Sequence, residues 1–537
     1  MRNRTFKQKI KSADNGDVLS QFELFQLYSD DENKELSDKY LSMSREAIRQ
    51  RKLTIKELYL TDFRKFRELR VDLSEHLIVL IGDNGAGKSS ILEAIAKNLS
   101  WLRGTILQDD RSARRLLDQD VNVDSEYGYA EARVTLWFDQ QQLQQYESSL
   151  AKTKSGVEKR KDSKLYEIRA LGDLYRVINA RQEINLPLLM FYSVKRTTES
   201  PQLTYSEEKT GNLESRFDAY ENALTGTAGI ADFVKWFLPL SNLVDSEEKN
   251  RKFIELKEEI NALENLLAST ADKDKKLTVT RMLEQKRVTF REFNDGLLTG
   301  NNFTFQLEVI TEAIKSLLPG FSQVFVDRSS GKASVCVMVY GKKLHINQLS
   351  DGQQMILGLT GDLARRLTML NPLLDDFNDK TPLNGQGIVL IDEIELHLHP
   401  KWQQTFLLNL QKAFKNIQFI VTTHSPQALS TVDKNSIRIL DNEQGAVKPV
   451  FQTKGVMSSD ILEQIMGTFS VPQIEETIKL ETLHGLIQEN KFETSTAKKL
   501  FDDLKRHFGK YHPEIQKLES EVKLNKLKDK IRLKRSR

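Results

Sequence analysis

A single cysteine, Cys336, among 537 residues excludes an internal disulfide and any metal site built from a cysteine cluster. A dominant charge sign is lacking too. With 79 Lys and Arg against 76 Asp and Glu, the net charge of +3 says little about partners, and any nucleic-acid surface must be a local patch. Long apolar runs are missing: Leu186 to Tyr192 and Ile388 to Ile391 fall well short of the roughly 20 residues a membrane helix requires. Arg2, Arg4, Lys7 and Lys9 make a basic start that no hydrophobic segment follows, which argues against a signal peptide. The expectation is a soluble, cytoplasmic protein of two or three domains with no membrane partner.

The densest information lies between residues 77 and 93. Leu77 to Ile81 is a short apolar run, and Ser90 onward is amphipathic. Between them Gly82, Asp83, Asn84, Gly85, Ala86, Gly87, Lys88 and Ser89 fit G-x-x-x-x-G-K-[ST]. That order reads as strand, loop and helix. In such a loop Gly82, Asn84, Gly85, Ala86 and Gly87 wrap backbone N–H groups around phosphates, with Ser90 in the first turn of the helix behind them. Lys88 reaches the β and γ phosphates, and the Ser89 hydroxyl ligates Mg²⁺. The start of the helix adds its dipole and unpaired N–H groups to the same anion site.

Taken in order, residues 1–52 read as a helical hairpin, with apolar spacing through Leu19, Phe22, Leu24 and Leu27 and again through Leu36, Tyr40 and Ile48. Ala13, Gly16, Asp17, Gln21, Leu27, Tyr28 and Tyr40 loosely resemble one Sel1-type repeat, so the hairpin is a docking surface or a packing appendage. Residues 53–243 form one lobe that carries the phosphate loop. In it Tyr129 to Phe138, Leu165 to Ile178 and Leu186 to Val194 read as further strands, with Gln140 to Ser163 as a mobile charged loop. Just ahead of the phosphate loop, Phe63, Arg64 and Phe66 either stack on adenine or pack in the core. Residues 244–298 read as an antiparallel helical hairpin whose arms of about 25 residues span roughly 35 to 40 Å, a lid or partner contact rather than a long tether. Residues 299–457 alternate strands and helices, which indicates an α/β domain. Residues 458–537 are helical. From Lys523 to Arg537, eight basic residues face one acid, Asp529, in a tail that binds phosphates or is solvated and frayed.

Three further segments join the phosphate loop. Apolar Ile388 to Ile391 ends in Asp392, which is placed to hold the Mg²⁺ from a neighbouring strand, and Glu393, the candidate general base. His424 follows the next strand, where it can touch a γ-phosphate. Leu349-Ser350-Asp351-Gly352-Gln353 opens a helix, and the Ser350 hydroxyl, the Gly352 backbone and that helix start form a second anion nest.

This last segment resembles the LSGGQ signature of ABC-type ATPases, with Asp351 in place of one glycine of the pair. The resemblance implies a dimer, or a higher oligomer, in which Ser350 and Gly352 contact the ATP held by the opposite subunit. Gly387 through Asp392-Glu393-Ile-Glu395-Leu-His397-Leu-His399-Pro400, with Thr422-Thr-His424-Ser-Pro426, resembles the branch containing RecF, overcoming-lysogenization-defect proteins and the PtuA ATPases of Septu anti-phage systems. The implied fold is a RecF- or Rad50-like ABC head with a short hairpin insertion, an N-terminal helical hairpin and a helical C-terminal region. In that family His397 and His399 lie at the dimer interface, which opposes a metal reading of the pair.

The wider match is with PtuA, including the retron-associated kind. Residues 427–537 lack the acidic pattern of a Toprim domain, and no H-N-H pattern appears, so no nuclease site is expected in the chain itself. The resemblance therefore implies a nucleotide-gated sensor and scaffold that uses ATP and Mg²⁺ and controls a separate small HNH nuclease, PtuB. For the retron kind it also implies a reverse transcriptase with its multicopy single-stranded DNA. The competing expectation is a RecF- or Rad50-like repair ATPase that binds DNA directly.

Overall fold

The computed structural model describes residues 2–30, 32–108, 113–138, 144–158, 160–194, 215–244, 247–269, 276, 279–287, 289–290, 303–329, 333–372, 382–441 and 445–535. Residues 1–456 and 457–537 form two compact units.

The first unit is built on three sheets. Strands β1 (Thr54–Phe63), β2 (Phe66–Asp72), β3 (Leu77–Ile81), β4 (Tyr129–Trp137), β5 (Gln145–Thr153) and β6 (Leu188–Tyr192) come from its first half. Strands β7 (Phe321–Asp327), β8 (Ser334–Val339), β9 (Lys342–His345), β10 (Gly387–Ile391), β11 (Ile417–Thr422), β12 (Ile437–Asp441) and β13 (Gly445–Val447) follow. The central sheet has the order β13-β12-β3-β11-β10-β6 and is parallel except for β13. Every residue of β3, β6, β10 and β11 is buried, as expected for parallel strands covered on both faces. Antiparallel sheets β2-β1-β4-β5 and β7-β8-β9 flank it.

Helix Lys88–Leu107 supplies much of the covering layer. Its Ile91, Leu92, Ile95, Leu99 and Leu102 have no exposed surface, and each such side chain contributes about 1.5–3 kcal/mol of burial. Gln418, the second residue of β11, is fully buried with its amide hydrogen-bonded. Its amide nitrogen donates to the carbonyls of Ile55 and Leu73 at 2.9 and 2.7 Å, and its oxygen accepts from the Ile55 N–H at 2.7 Å, which ties the parallel sheet to β1.

Two sequence expectations fail in the first lobe. Leu165 to Ile178 is not a strand but the start of helix Tyr166–Arg181, because the buried residues Ile168, Leu171, Leu174, Tyr175 and Ile178 recur at helical, not alternate, spacing. The supposed loop Gln140 to Ser163 contains β5, which pairs along its whole length with β4. Its polar composition hid it: Ser148 and Ser149 are buried but donate to Asn98 and Glu131.

The N-terminal hairpin is made by helices Val18–Asp30 and Lys34–Gln50, and a further helix, Arg2–Asp14, precedes it. In the insertion, helix Glu247–Ser269 packs against residues 279–287 and 289–290 through Leu256, Ile260, Leu283 and Phe290 and through the pairs Glu259–Lys286 and Glu264–Arg287. The rest of the expected return arm, residues 291–297, lies outside the described residues. The second unit packs helices Glu475–Gln488, Ser495–Phe508 and Pro513–Arg535 around Leu483, Ile487, Leu504, Ile515 and Leu518. Of the basic tail, Lys523, Lys526 and Lys528 are exposed, while Arg537 and the side chains of Lys530, Arg532, Lys534 and Arg535 lie outside the description. Among the described residues no helix is long and apolar enough to cross a membrane.

Candidate functional site

The parallel strands β3, β11, β10 and β6 all end at the same edge of the central sheet, the position where open α/β sheets bind ligands. The phosphate loop follows β3, Asp392 and Glu393 follow β10, and Thr423 and His424 follow β11. The expectation that Asp392 sits on a strand neighbouring β3 is corrected here. Strand β11 pairs with both and lies between them, so His424 ends the central strand of the three.

The loop itself is shaped by contacts as well as by sequence. Gly87 has φ 95°, and a Cβ there would stand 2.3 Å from the Phe66 ring. Glycine is thus required for the backbone and for the ring packed on it. Phe63 is fully buried, and Arg64 is engaged with Asp120 at 3.0 Å, with Glu93 and with Ser90 Oγ at 3.2 Å, so this turn braces the loop and the first turn of the following helix. Lys88 is 7 % exposed, and its ammonium donates to the carbonyls of Gly82 at 2.7 Å and Asp83 at 3.0 Å. Burial pushes its pKa below the ordinary lysine value, against the pull of the Asp392, Glu393, Glu395 and Asp83 carboxylates. Ser89 is exposed at the start of the helix, beside half-buried Ser90 and the exposed loop residues Asn84 and Gly85.

At the end of β10, Asp392 is 4 % exposed, and its Oδ1 accepts from Thr422 Oγ1 at 2.6 Å. The same Thr422 oxygen accepts from the Glu393 N–H at 2.7 Å. Glu393 has φ 48°, a left-handed conformation that a non-glycine residue adopts only when its surroundings enforce it, and such positions cluster at functional sites. His424 is half-buried, and its N–H donates to Glu395 Oε1 at 2.5 Å. Ser425, next to it, donates to Gln403 Oε1 at 2.7 Å and caps the short helix after β11.

Glu395 and Thr422 stand in the motifs read above without a role of their own, and Gln403 lies outside those motifs. The available signal was a hydroxyl closing an otherwise apolar strand and a carboxylate two residues beyond Glu393.

The signature segment occupies a different place. Ser350 caps helix Asp351–Leu370 in a reciprocal box with Gln353, and Gly352 packs on the carbonyl of His397, where an added Cβ would stand 2.6 Å from that oxygen. Among the described residues no hydrogen bond joins Ser350 or Gly352 to the phosphate loop of the same chain. His399 caps helix Pro400–Ala413 through Nδ1, and no group of three or more His, Cys, Asp or Glu that could hold a metal occurs among the described residues. Mg²⁺ needs no such cage, because it is ordinarily held by one or two protein oxygens together with nucleotide phosphates. The hard oxygen donors of Ser89 and Asp392 fit that requirement.

A phosphate loop at the end of β3, an acidic pair at the end of β10, a histidine at the end of β11 between them and a separate capped signature helix define an ABC-type ATPase head. Residues 54–429 match the family described as AAA ATPase domain. The chain is 31 % identical over 532 residues to the Retron Ec83 probable ATPase of Escherichia coli, a match that covers 96 % of this chain and 95 % of the relative. It is 33 % identical over 513 residues to the Retron Vc95 probable ATPase of Vibrio cholerae, covering 92 % and 96 %. A shorter match, 35 % over 158 residues, covers 29 % of this chain and 20 % of the Septu protein PtuA of Bacillus mycoides. The chain belongs to the AAA ATPase domain family and, along nearly its whole length, to the group of ATPases that includes these two retron proteins.

Proposed function

We propose that the chain is a Mg²⁺-dependent ATPase that serves as nucleotide-gated sensor and scaffold of an anti-phage defence complex and controls a separate HNH nuclease of the PtuB kind. Lys88 and the loop N–H groups bind the phosphates, with Ser89 and Asp392 as metal ligands. The metal supplies charge neutralisation at the phosphates. Glu393 accepts a proton from the attacking water, and His424 contacts the γ-phosphate. Ser350 and Gly352 complete the site of a second copy. The observation that carries the reading is the convergence of β3, β10 and β11 on one edge, with Thr422 fixing both Asp392 and the Glu393 backbone. The defence assignment is supported by the relatives themselves, which are retron and Septu proteins. A reverse transcriptase and its single-stranded DNA are the further partners that the retron names suggest.

The test is purification of the tagged chain from its host with and without Mg²⁺-ATP, beside Lys88→Ala, followed by mass spectrometry and nucleic-acid analysis. Recovery of a small HNH protein in a Lys88-dependent manner is expected. Recovery of self-associated ATPase with chromosomal DNA alone would favour the second reading, a repair ATPase that binds DNA directly. That reading draws on an open groove of about 350 Å³ at the end of β5, whose lining includes Lys152, Lys154, Arg160 and Lys161 together with Asp162.

A further inference from the structure

The residues between the acidic pair and helix Pro400–Ala413 form one tight turn. Glu393 and His397, at φ 48° and 64°, both lie in the left-handed region. The turn is closed by Leu396 N–H to the Glu393 carbonyl at 3.1 Å and by Leu398 N–H to the Glu395 carbonyl at 2.8 Å. Three attachments hold it. At its start, Ile394 N–H donates to the Thr422 carbonyl at 3.0 Å. At its far end, the His397 carbonyl is pressed against Gly352 of the signature helix. In the middle, the Glu395 side chain reaches the His424 backbone at 2.5 Å.

The second oxygen of Glu395 has a different status. Glu395 Oε2 is buried and has no hydrogen-bond partner among the described residues, although leaving a buried polar oxygen unpaired is destabilising. The charge of this carboxylate acts on Lys88 together with those of Asp392 and Glu393.

We propose that Glu395 is a positioning residue for ATP hydrolysis: its carboxylate holds the His424 backbone to the turn that the signature helix presses on, so that γ-phosphate contact and signature placement are coupled. The inference rests on the ATPase reading above. It assigns Glu395 no contact with the nucleotide and no proton transfer. Its effect is on where His424 stands.

The test compares Glu395→Ala, Glu395→Gln and Glu395→Met in the full chain, measuring kcat for ATP and the Kd of a fluorescent ATP analogue, with Lys88→Ala as the control. Gln keeps an oxygen that accepts from the His424 N–H, whereas Met fills similar space with no such acceptor. The expected result is a fall in kcat of about tenfold or more for Ala and Met, a Kd within about twofold of the parent, and recovery of most of kcat by Gln. A merely structural role would lower thermal stability and raise Kd together, without the split. Unchanged kcat in Met, or Gln as impaired as Met, would overturn the proposal. Met and Gln carry the test if Ala fails to fold. Hydrolysis by the parent that Lys88→Ala does not abolish would instead remove the ATPase reading, and the inference with it.

Discussion

Thr422 donates its hydroxyl proton to the carboxylate of Asp392 at 2.6 Å across the parallel pair β10 and β11. The two residues are 30 positions apart in the chain, and both are buried. The same oxygen receives the N–H of Glu393, so one small side chain fixes the orientation of the proposed metal ligand and the strained backbone of the proposed base.

Replacing Thr422 by Val preserves the β-branched shape and removes both bonds. We expect Thr422→Val to stay folded at a cost of about 1–3 kcal/mol and to lose about tenfold or more in kcat, since each 1.4 kcal/mol of barrier is a factor of about ten. Thr422→Ser restores the hydroxyl and most of the rate. Steady-state ATPase assays with thermal denaturation of the same samples check both statements.

How much of this was legible beforehand depends on how local each requirement is. The phosphate loop was readable because its chemistry needs glycines, a lysine and a hydroxyl within eight consecutive residues, Gly82 to Ser89. The placement of Asp392, Glu393 and His424 beyond strand ends was readable because those strands are apolar enough to recognise. Gln418 was not, since its partner Ile55 is 363 residues away and nothing near β11 announces it. Strand β5 was missed for a related reason: its buried serines are satisfied by Asn98 and Glu131, which stand 50 and 18 residues distant. The order of β3, β11 and β10 follows from chain topology, which residue pattern does not encode.

Gly352 is needed for space rather than for conformation. A Cβ at this position would meet the His397 carbonyl at 2.6 Å, a backbone atom that cannot swing aside. We expect Gly352→Ala to displace the start of the signature helix and to cost about 1–3 kcal/mol in stability. Nucleotide affinity at the phosphate loop should be retained while hydrolysis falls. Calorimetric titration with ATP beside an activity assay separates the two, and an equal loss of both would count against a separate role for the signature turn.

Asp362, on the signature helix, is completely buried with Arg366 at 2.8 Å, Arg365 at 3.1 Å and the hydroxyl of Tyr192, which ends β6, at 2.8 Å. Burial alone would push this carboxylate up. The two guanidinium groups and the tyrosine overcome it and hold the carboxylate below its ordinary value. A folded-state pKa below the unfolded one adds stability that is present above the ordinary carboxylate value, about 3.9, and is lost as pH falls through the folded value. Asp362→Asn leaves both arginines without their counter-charge, and we expect a loss of about 3–5 kcal/mol at pH 7. Urea unfolding at a series of pH values should show that gap narrowing below about pH 4. A gap that is constant or widens on acidification would contradict a charged Asp362.

Lys88 bonds to the loop's own carbonyls at Gly82 and Asp83, so its ammonium is satisfied in the arrangement described and has to exchange those partners for phosphate oxygens when nucleotide binds. Removing it therefore affects the free protein and the bound protein differently. In the free protein two hydrogen bonds vanish, but so does the burial cost that depresses the ammonium, and the two effects oppose each other. In the bound protein the phosphates lose the cation held among the Asp392, Glu393, Glu395 and Asp83 carboxylates, although exposed Lys65, which donates to the Gly85 carbonyl at 2.9 Å, remains at the loop. A ligand at a hundredfold over its Kd raises stability by about 2.7 kcal/mol. We expect the parent to show a shift of that size with Mg²⁺-ATP, and Lys88→Met to unfold near the parent temperature without ATP and to show little or no shift with it. Thermal denaturation with and without nucleotide measures both. A Lys88→Met chain with the full ATP-induced shift would mean that affinity comes from the loop N–H groups and the helix start alone, with the lysine acting only in hydrolysis.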